Sequence, residues 1–206
     1  VERQAVPAFD AALLDAVLSR FQGPQQQVPP MYSALKREGR PLYELARQGV
    51  EVERAARHIE IRHLALLERG DDFLRLACEC TKGTYIRVLG EDLARALGTV
   101  GHLTGLRRLW VEPFRGQPML TLEAAMEGAQ DRAGLLPPDA ALQALPHLAL
   151  SATQLTQVRH GQAVAGHPTP IDPGRRLRLY GPDGAFVGLA EAMPDGRYQP
   201  RRLLLP

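Results

Sequence analysis

Residues 78–98 read "CECTKGTYIRVLGEDLARALG". A run of alternating residues breaks at Lys82-Gly83 and becomes a helix, expected from about Thr84 to Leu97 and stopped by Gly98. Tyr85 and Arg87 sit at this junction. On an ideal helix they lie about 200° apart, whereas at a strand end they share a face, so both geometries are open. A Gly-Thr turn feeding a helix exposes backbone N–H groups, and Lys82 just before it makes the spot attractive to an anion. The plainer alternative is packing for the tyrosine and a surface ion pair for the arginine.

Working outward, the segments from His58 to Glu68 and from Phe73 to Cys80 are strand-like, and "RGDD" between them is a turn, which predicts a β-hairpin. Leu74, Leu76, Cys78 and Cys80 share one face. Upstream, "FDAALLDAVLSRFQG" is an amphipathic helix with Asp10 as N-cap, Leu13, Leu14, Val17, Leu18 and Phe21 on one stripe, and Phe9 placed to staple against Leu14. "PQQQVPPMYSALKREGR" is expected to be extended and largely irregular, after which Pro41 opens a short helix closed by Gly49. Downstream, "LTGLRRLWVEPF" reads as a further strand bent at Pro113. Two short helical patterns, "LEAAMEGAQ" and "DAALQAL", then form a connector. A capping box, Ser151 with Gln154, starts another helix ended by Gly161. Short apolar runs punctuated by two "PDG" turns imply a small all-β unit. The fold class is α+β, with a domain boundary near 147: residues 1–146, then residues 147–206.

Apolar residues at 45% and charged residues at 23% are ordinary for a globular protein. No apolar run reaches the roughly 18 residues of a membrane span, so no membrane partner is expected. Val1 is preceded by no initiator Met, and no secretory pattern opens the chain. Cys78 and Cys80, two apart on one strand face, lack the geometry of an easy disulfide, which fits a reducing, cytoplasmic setting. They read as small buried apolar groups. With the six scattered histidines they give no ligand set, so no metal is expected. A net charge of +2 does not announce nucleic acid, but of 25 basic residues only Lys36 and Lys82 are lysines. A compact ammonium and a planar guanidinium are different tools, which draws attention to those two sites.

Three stretches in this order, "PPMYSALKREGRPLYELARQG", "CTKGTYIRVLGEDLARALG" and "GHLTGLRRLWVEPF", closely resemble the TruB family of bacterial tRNA pseudouridine synthases, which isomerise uridine 55 of the T loop. The similarity continues through "RLRLYGPDGAFVGLAEAMPDGRYQPRRLLL", which looks like the family's PUA-like module. The resemblance implies a mixed-sheet catalytic domain followed by a β-rich RNA-binding domain, tRNA (its T arm) as the partner, no cofactor, and a monomer. It implies roles by position. Tyr85 lies against the flipped base, Arg87 pairs with the catalytic aspartate, and Leu106 lines the uracil pocket. An extruded base needs a wall to replace lost stacking, and a buried carboxylate needs a cation to stay ionised. Beside this reading, Lys82, Arg107 and Arg108, Arg175, Arg176 and Arg178, and Arg201 and Arg202 are candidate phosphate contacts; without it they form a solvated face, and Leu106 is core. Tyr32, Ser33 and Lys36 receive no separate roles.

The chain departs from the family in two respects. The nucleophile belongs to a "GxLDPxATG" segment and a second tyrosine to an "RYxV"-like strand, and neither occurs here. Asp172 in "PIDPGRRLRL" has the wrong flanks and order and reads as a turn residue. The expectation is that the chain is the C-terminal two-thirds of such an enzyme, inactive alone, with the missing N-terminal segment as its partner. The alternative is a non-catalytic RNA-binding or tRNA-folding module.

Overall fold

The computed structural model describes residues 2–128, 134–166 and 168–204. Backbone contacts divide the chain into two compact units, Val1–Arg107 and Arg108–Pro206. Among the described residues no helix is long and apolar enough to cross a membrane. The α+β class read from the sequence is the observed one.

The first unit opens with α1 (Ala11–Arg20), whose N-cap Asp10 accepts the Leu13 N–H at 2.8 Å. Leu14, Val17 and Leu18 are buried, each apolar side chain contributing roughly 1.5–3 kcal/mol. Leu13 belongs to the expected stripe but is 47% exposed; it lies about 100° round the helix from Leu14, beyond the width of the core contact. The Pro/Gln segment supplies a correction. Gly23–Gln27 is a strand, β1, rather than irregular chain. It lies at a sheet edge, where Pro24 is tolerated, and its polar residues conceal a strand whose stability comes from its partner. Next come the two-residue strands β2 (Lys36–Arg37) and β3 (Arg40–Pro41), paired across Glu38-Gly39, and α2 (Leu42–Arg47) directly after Pro41.

The expected hairpin forms from β4 (Arg57–Arg69) and β5 (Leu74–Cys80). With β1 they make an antiparallel sheet of order β1-β4-β5, in register Gly23↔Ile61 to Gln27↔Arg57 on the β1 side. Leu74, Leu76, Cys78 and Cys80 pack together against the core formed by Ile59, Ile61 and Leu64 with α1 and α3 (Ile86–Ala96). Leu89, Leu93 and Leu97, one turn apart, are the buried stripe beyond the junction. Burial and the neighbouring Cys80 push the Cys78 thiol up to about 12, so it stays protonated and acts as a small apolar group.

The second correction concerns residues 103–114. They form no strand, and Leu106, Leu109 and Val111 are 66%, 62% and 43% exposed. β-propensity means fitting a pleated, half-buried surface, and no partner strand pairs with this segment among the described residues.

The second unit contains α4 (Leu122–Glu127), capped by Thr121, and a 3-10 turn at Ala140–Leu142; residues 129–130 of the expected helical pattern lie outside the described residues. Then come β6 (His147–Ala149), α5 (Ala152–Arg159), β7 (Arg176–Tyr180), β8 (Phe186–Ala192) and β9 (Tyr198–Leu203). The sheet order is β6-β7-β8-β9, with β6 parallel to β7 and the rest antiparallel. The Ser151/Gln154 capping box is present in both directions. Asp183 and Asp195 of the two "PDG" turns accept the N–H two residues on, from Ala185 and Arg197. Asp172, in the Asp-Pro-Gly turn, accepts the Arg175 N–H through its carbonyl.

Backbone contacts place residues 108–146 with this second unit, whereas the sequence reading assigns them to the first domain. A buried network supplies a reason for the difference. Arg178 on β7, 6% exposed, donates to the Asp139 carboxylate at 3.3 Å, the Gln143 Oε1 at 2.8 Å, the Tyr180 hydroxyl at 2.7 Å and the Leu145 carbonyl at 3.2 Å. Tyr180 in turn donates to Asp139. Arg178 is therefore consumed inside the unit and does not join Arg175 and Arg176 as an exposed basic cluster. The hydrogen bond from Tyr180, with those from Gln143 and Arg178, holds the Asp139 carboxyl below its ordinary range. Asp139→Ala leaves the guanidinium buried without its counter-ion, and we expect a loss of about 3 kcal/mol, read as a drop in Tm. In the unmodified protein this contribution is present above about pH 4, the range of an unfolded carboxyl, and is lost as acid protonates Asp139. Acid melts of wild type and Asp139→Ala should therefore converge at low pH.

Candidate active site at the strand-to-helix junction

β5 ends at Cys80 and the chain must turn into α3 within five residues. Thr81 anchors the turn to β4 twice. Its N–H donates to the Glu60 carbonyl and its Oγ1 accepts the Glu60 N–H, both at 2.9 Å. Thr84 Oγ1 closes the turn by donating to the Thr81 carbonyl at 2.9 Å. Gly83 sits between them at φ +87°, in the left-handed region.

Tyr85 is the helix N-cap, at φ −95° and ψ 101°, and makes no side-chain capping bond of its own. The capping function comes from Gln27, the last residue of β1 and 6% exposed. Its Oε1 accepts the Tyr85 N–H at 2.8 Å and its Nε2 donates to the Tyr85 carbonyl at 3.2 Å. The same carbonyl accepts the Leu89 N–H at 3.1 Å.

The junction is thus neither of the two regular geometries. Tyr85 closes the extended stretch and Arg87 is the second helical residue. Arg87 is exposed and donates through Nη2 to the Tyr32 carbonyl at 2.7 Å. A guanidinium has five N–H donors, and no carboxylate among the described residues pairs with this one. The surface ion pair allowed by the sequence does not form there. The contact instead brings in residues 31–35. Tyr32 is 56% exposed, while Ser33 is buried, its Oγ without a partner among the described residues, and its carbonyl accepts the Tyr43 N–H.

Lys82 is exposed in the turn, and Lys36 is exposed on β2. Leu106 and Arg107 lie on the exposed segment after α3, and Arg108 opens the second unit. Within the first unit, the course of this segment can be read from two glycines. A Cβ on Gly101 would stand 2.8 Å from Ala94 Cβ, and one on Gly90 would stand 3.1 Å from Leu103 Cδ2. Two residues of the segment therefore span four of the helix, about 6 Å at ~3.3 and ~1.5 Å per residue respectively. Residues 101–103 thus run back along α3 as far as Gly90, and the chain bends at Thr104. No hydrogen bond or ion pair joins Leu106 or Arg107 to Tyr85 or Arg87 among the described residues.

Sequence reasoning missed Gln27, Thr81 and the Tyr32 carbonyl. Gln27 is one of three adjacent glutamines, and nothing local distinguishes it from Gln25 or Gln26. Its contact with Tyr85 spans 58 residues.

Two family models match the chain: TruB family pseudouridylate synthase (N terminal domain) over residues 1–86, and Pseudouridine synthase II TruB, C-terminal, over residues 146–204. Among curated relatives, tRNA pseudouridine synthase B of Chromohalobacter salexigens is 43% identical over 99% of this chain and 67% of its own length. The protein of that name from Aromatoleum aromaticum is 46% identical over 91% of this chain and 60% of its own. The chain spans about two thirds of the length of the curated relatives it matches. The solved structure of a Cbf5-Nop10-Gar1 complex is similar in fold, with a TM-score of 0.67 at 21% identity over 98% of this chain and 64% of that one.

Gly83 meets nothing within 4 Å of an added Cβ, so only backbone strain opposes a side chain there. Gly83→Ala is expected to cost about 1–2 kcal/mol, seen as a lower midpoint in urea with an unchanged slope.

Proposed function

Because this chain belongs to the TruB family of pseudouridylate synthases, we propose that its 206 residues furnish the uracil pocket wall and the arginine of an enzyme that isomerises uridine 55 in the T loop of tRNA. The observation that carries this reading is Arg87: an exposed guanidinium in the first turn of α3, two residues from Tyr85, with a hydrogen bond to the Tyr32 carbonyl and, among the described residues, no acid beside it. Its remaining donors suit a carboxylate that needs bidentate support to stay ionised and nucleophilic.

On this reading the target base leaves its stack and rests against the Tyr85 ring, a contact worth about 1–3 kcal/mol. The aspartate held by Arg87 attacks, the N1–C1′ bond breaks, uracil rotates and forms a C5–C1′ bond as the aspartate is released, and the proton lost from C5 is balanced by one gained at N1, so the change is an isomerisation. Leu106, whose side chain is 66% exposed, lines the uracil pocket on this reading. Lys82, Arg107 and Arg108, all exposed, serve as phosphate contacts that position the T arm. Residues 1–146 form the catalytic part with its connector and residues 147–206 a PUA-like RNA-binding domain, in keeping with the family's C-terminal model starting at residue 146. The protein acts as a monomer in the cytoplasm, the compartment in which Cys78 and Cys80 stay reduced.

The nucleophilic aspartate is not among the 206 residues. No "GxLDPxATG" segment occurs in them, and no described carboxylate meets Arg87. The same observation favours a second reading for the chain by itself, a non-catalytic RNA-binding or tRNA-folding module.

Nucleoside analysis of T-arm RNA incubated with protein distinguishes these readings. The native protein carrying these residues should form pseudouridine, Arg87→Ala should reduce kcat by about 100-fold or more with little change in Tm, and the isolated 206-residue chain should form none. Pseudouridine made by the isolated chain would refute the external aspartate. Replacing Arg107 and Arg108 with alanine should weaken RNA binding and flatten the plot of log K against log salt by about 0.7–0.9 for each phosphate that is no longer neutralised. An unchanged slope would remove both from the interface.

A further inference from the structure

Building on the proposed pocket, we infer that Gln27 is a positioning residue: its side-chain amide fixes the main chain of Tyr85 and so aims the tyrosine ring at the target base. Three glutamines stand in a row on β1, and the structure gives them different surroundings. Gln25 Nε2 donates to the Phe21 carbonyl at 2.6 Å, closing the end of α1. Gln26 is exposed. Gln27 is buried and spends both ends of its amide on Tyr85.

The geometry explains why this matters for a ring rather than for the helix alone. With the Tyr85 N–H bound to Gln27 Oε1, and the Tyr85 carbonyl shared between Gln27 Nε2 and the Leu89 N–H, every main-chain hydrogen-bonding group of that residue is committed. The direction of its Cα–Cβ bond is then set, and the ring keeps only its two side-chain torsions. The neighbouring anchors act elsewhere. Thr81 ties the preceding turn to Glu60, and Arg87 ties the second helical residue to Tyr32. Gln27 occupies the last paired position of β1, opposite Arg57, so the sheet register itself places the amide.

The residue type follows from the task. Pairing with one residue's N–H and C=O requires a donor and an acceptor in one planar group. Glutamate when ionised only accepts, methionine offers neither function at similar length, and asparagine is one methylene short. Burying such an amide costs free energy unless both ends are bonded, and on Tyr85 both are.

The test uses the native protein and T-arm RNA, with kcat, KM and Tm measured for each variant. Gln27→Met keeps length and fills the buried site while removing both bonds. It should lower kcat by about 10- to 100-fold and leave KM within about twofold, because phosphate contacts hold the RNA. Gln27→Glu, which turns a carboxylate against the Tyr85 carbonyl, should fall at least as far, and it carries the same comparison should Gln27→Met lose its cooperative melt. Gln25→Ala should lower Tm and keep kcat, and Gln26→Ala should change neither. The positioning role alone is overturned if wild type is active and Gln27→Met retains kcat, or if its loss of kcat merely accompanies a Tm drop that costs Gln25→Ala as much activity. A wild-type protein that makes no pseudouridine overturns the pocket reading beneath it, and the positioning role with it.

Discussion

A helix whose N-cap residue is aromatic has no side-chain cap of its own, and the N-cap of α3 is Tyr85. Its first N–H groups need acceptors, and the one at the boundary is met from a distant strand by Gln27. Several features of the first unit depend on this arrangement. β1 must be a strand, and must be in register with β4, for the amide to arrive. The turn before α3 must be tied down by Thr81 for Tyr85 to present its main chain to that amide. The hydrophobic stripe of Leu89, Leu93 and Leu97 then seats the remainder of the helix on the sheet. Packing supplies most of the free energy, while the polar contacts set the direction in which the helix starts.

Two arginines show how surroundings assign roles to one residue type. Arg178 is surrounded by an acid, an amide, a phenol and a carbonyl, and its charge is spent holding Asp139 and Gln143 to β7. Arg87 has a single carbonyl partner among the described residues and is exposed. A fully satisfied buried guanidinium is a structural rivet, whereas one with unused donors at a helix start is equipped to receive an anion. Composition alone, with arginine almost the only basic residue, could not separate the two.

The elements legible in the sequence were those governed by near neighbours. Asp10 capping α1, the Ser151/Gln154 box, the two Asp-Gly turns and the β4–β5 hairpin each depend on residues a few positions apart, and each forms as the local chemistry requires. The failures share one cause. β1 is a strand because β4 lies beside it, in spite of its glutamines and proline, and residues 103–114 are not a strand because no described strand lies beside them, in spite of their leucines and valine. Leu13 matched the periodicity and is exposed, since periodicity shows which residues share a face but not how far a neighbouring element covers it.

For the site, the motif "KGTYIR" by itself marked Tyr85 and Arg87, because side-chain chemistry and a strand-to-helix break are written in consecutive residues. What surrounds them was decided by tertiary structure: which of three glutamines clasps the tyrosine, which carbonyl holds the arginine, and which of the basic residues is buried. Those contacts join positions up to 58 residues apart. A hydrogen bond acts over about 3 Å of space whatever the separation along the chain, so only the folded backbone could choose the partners.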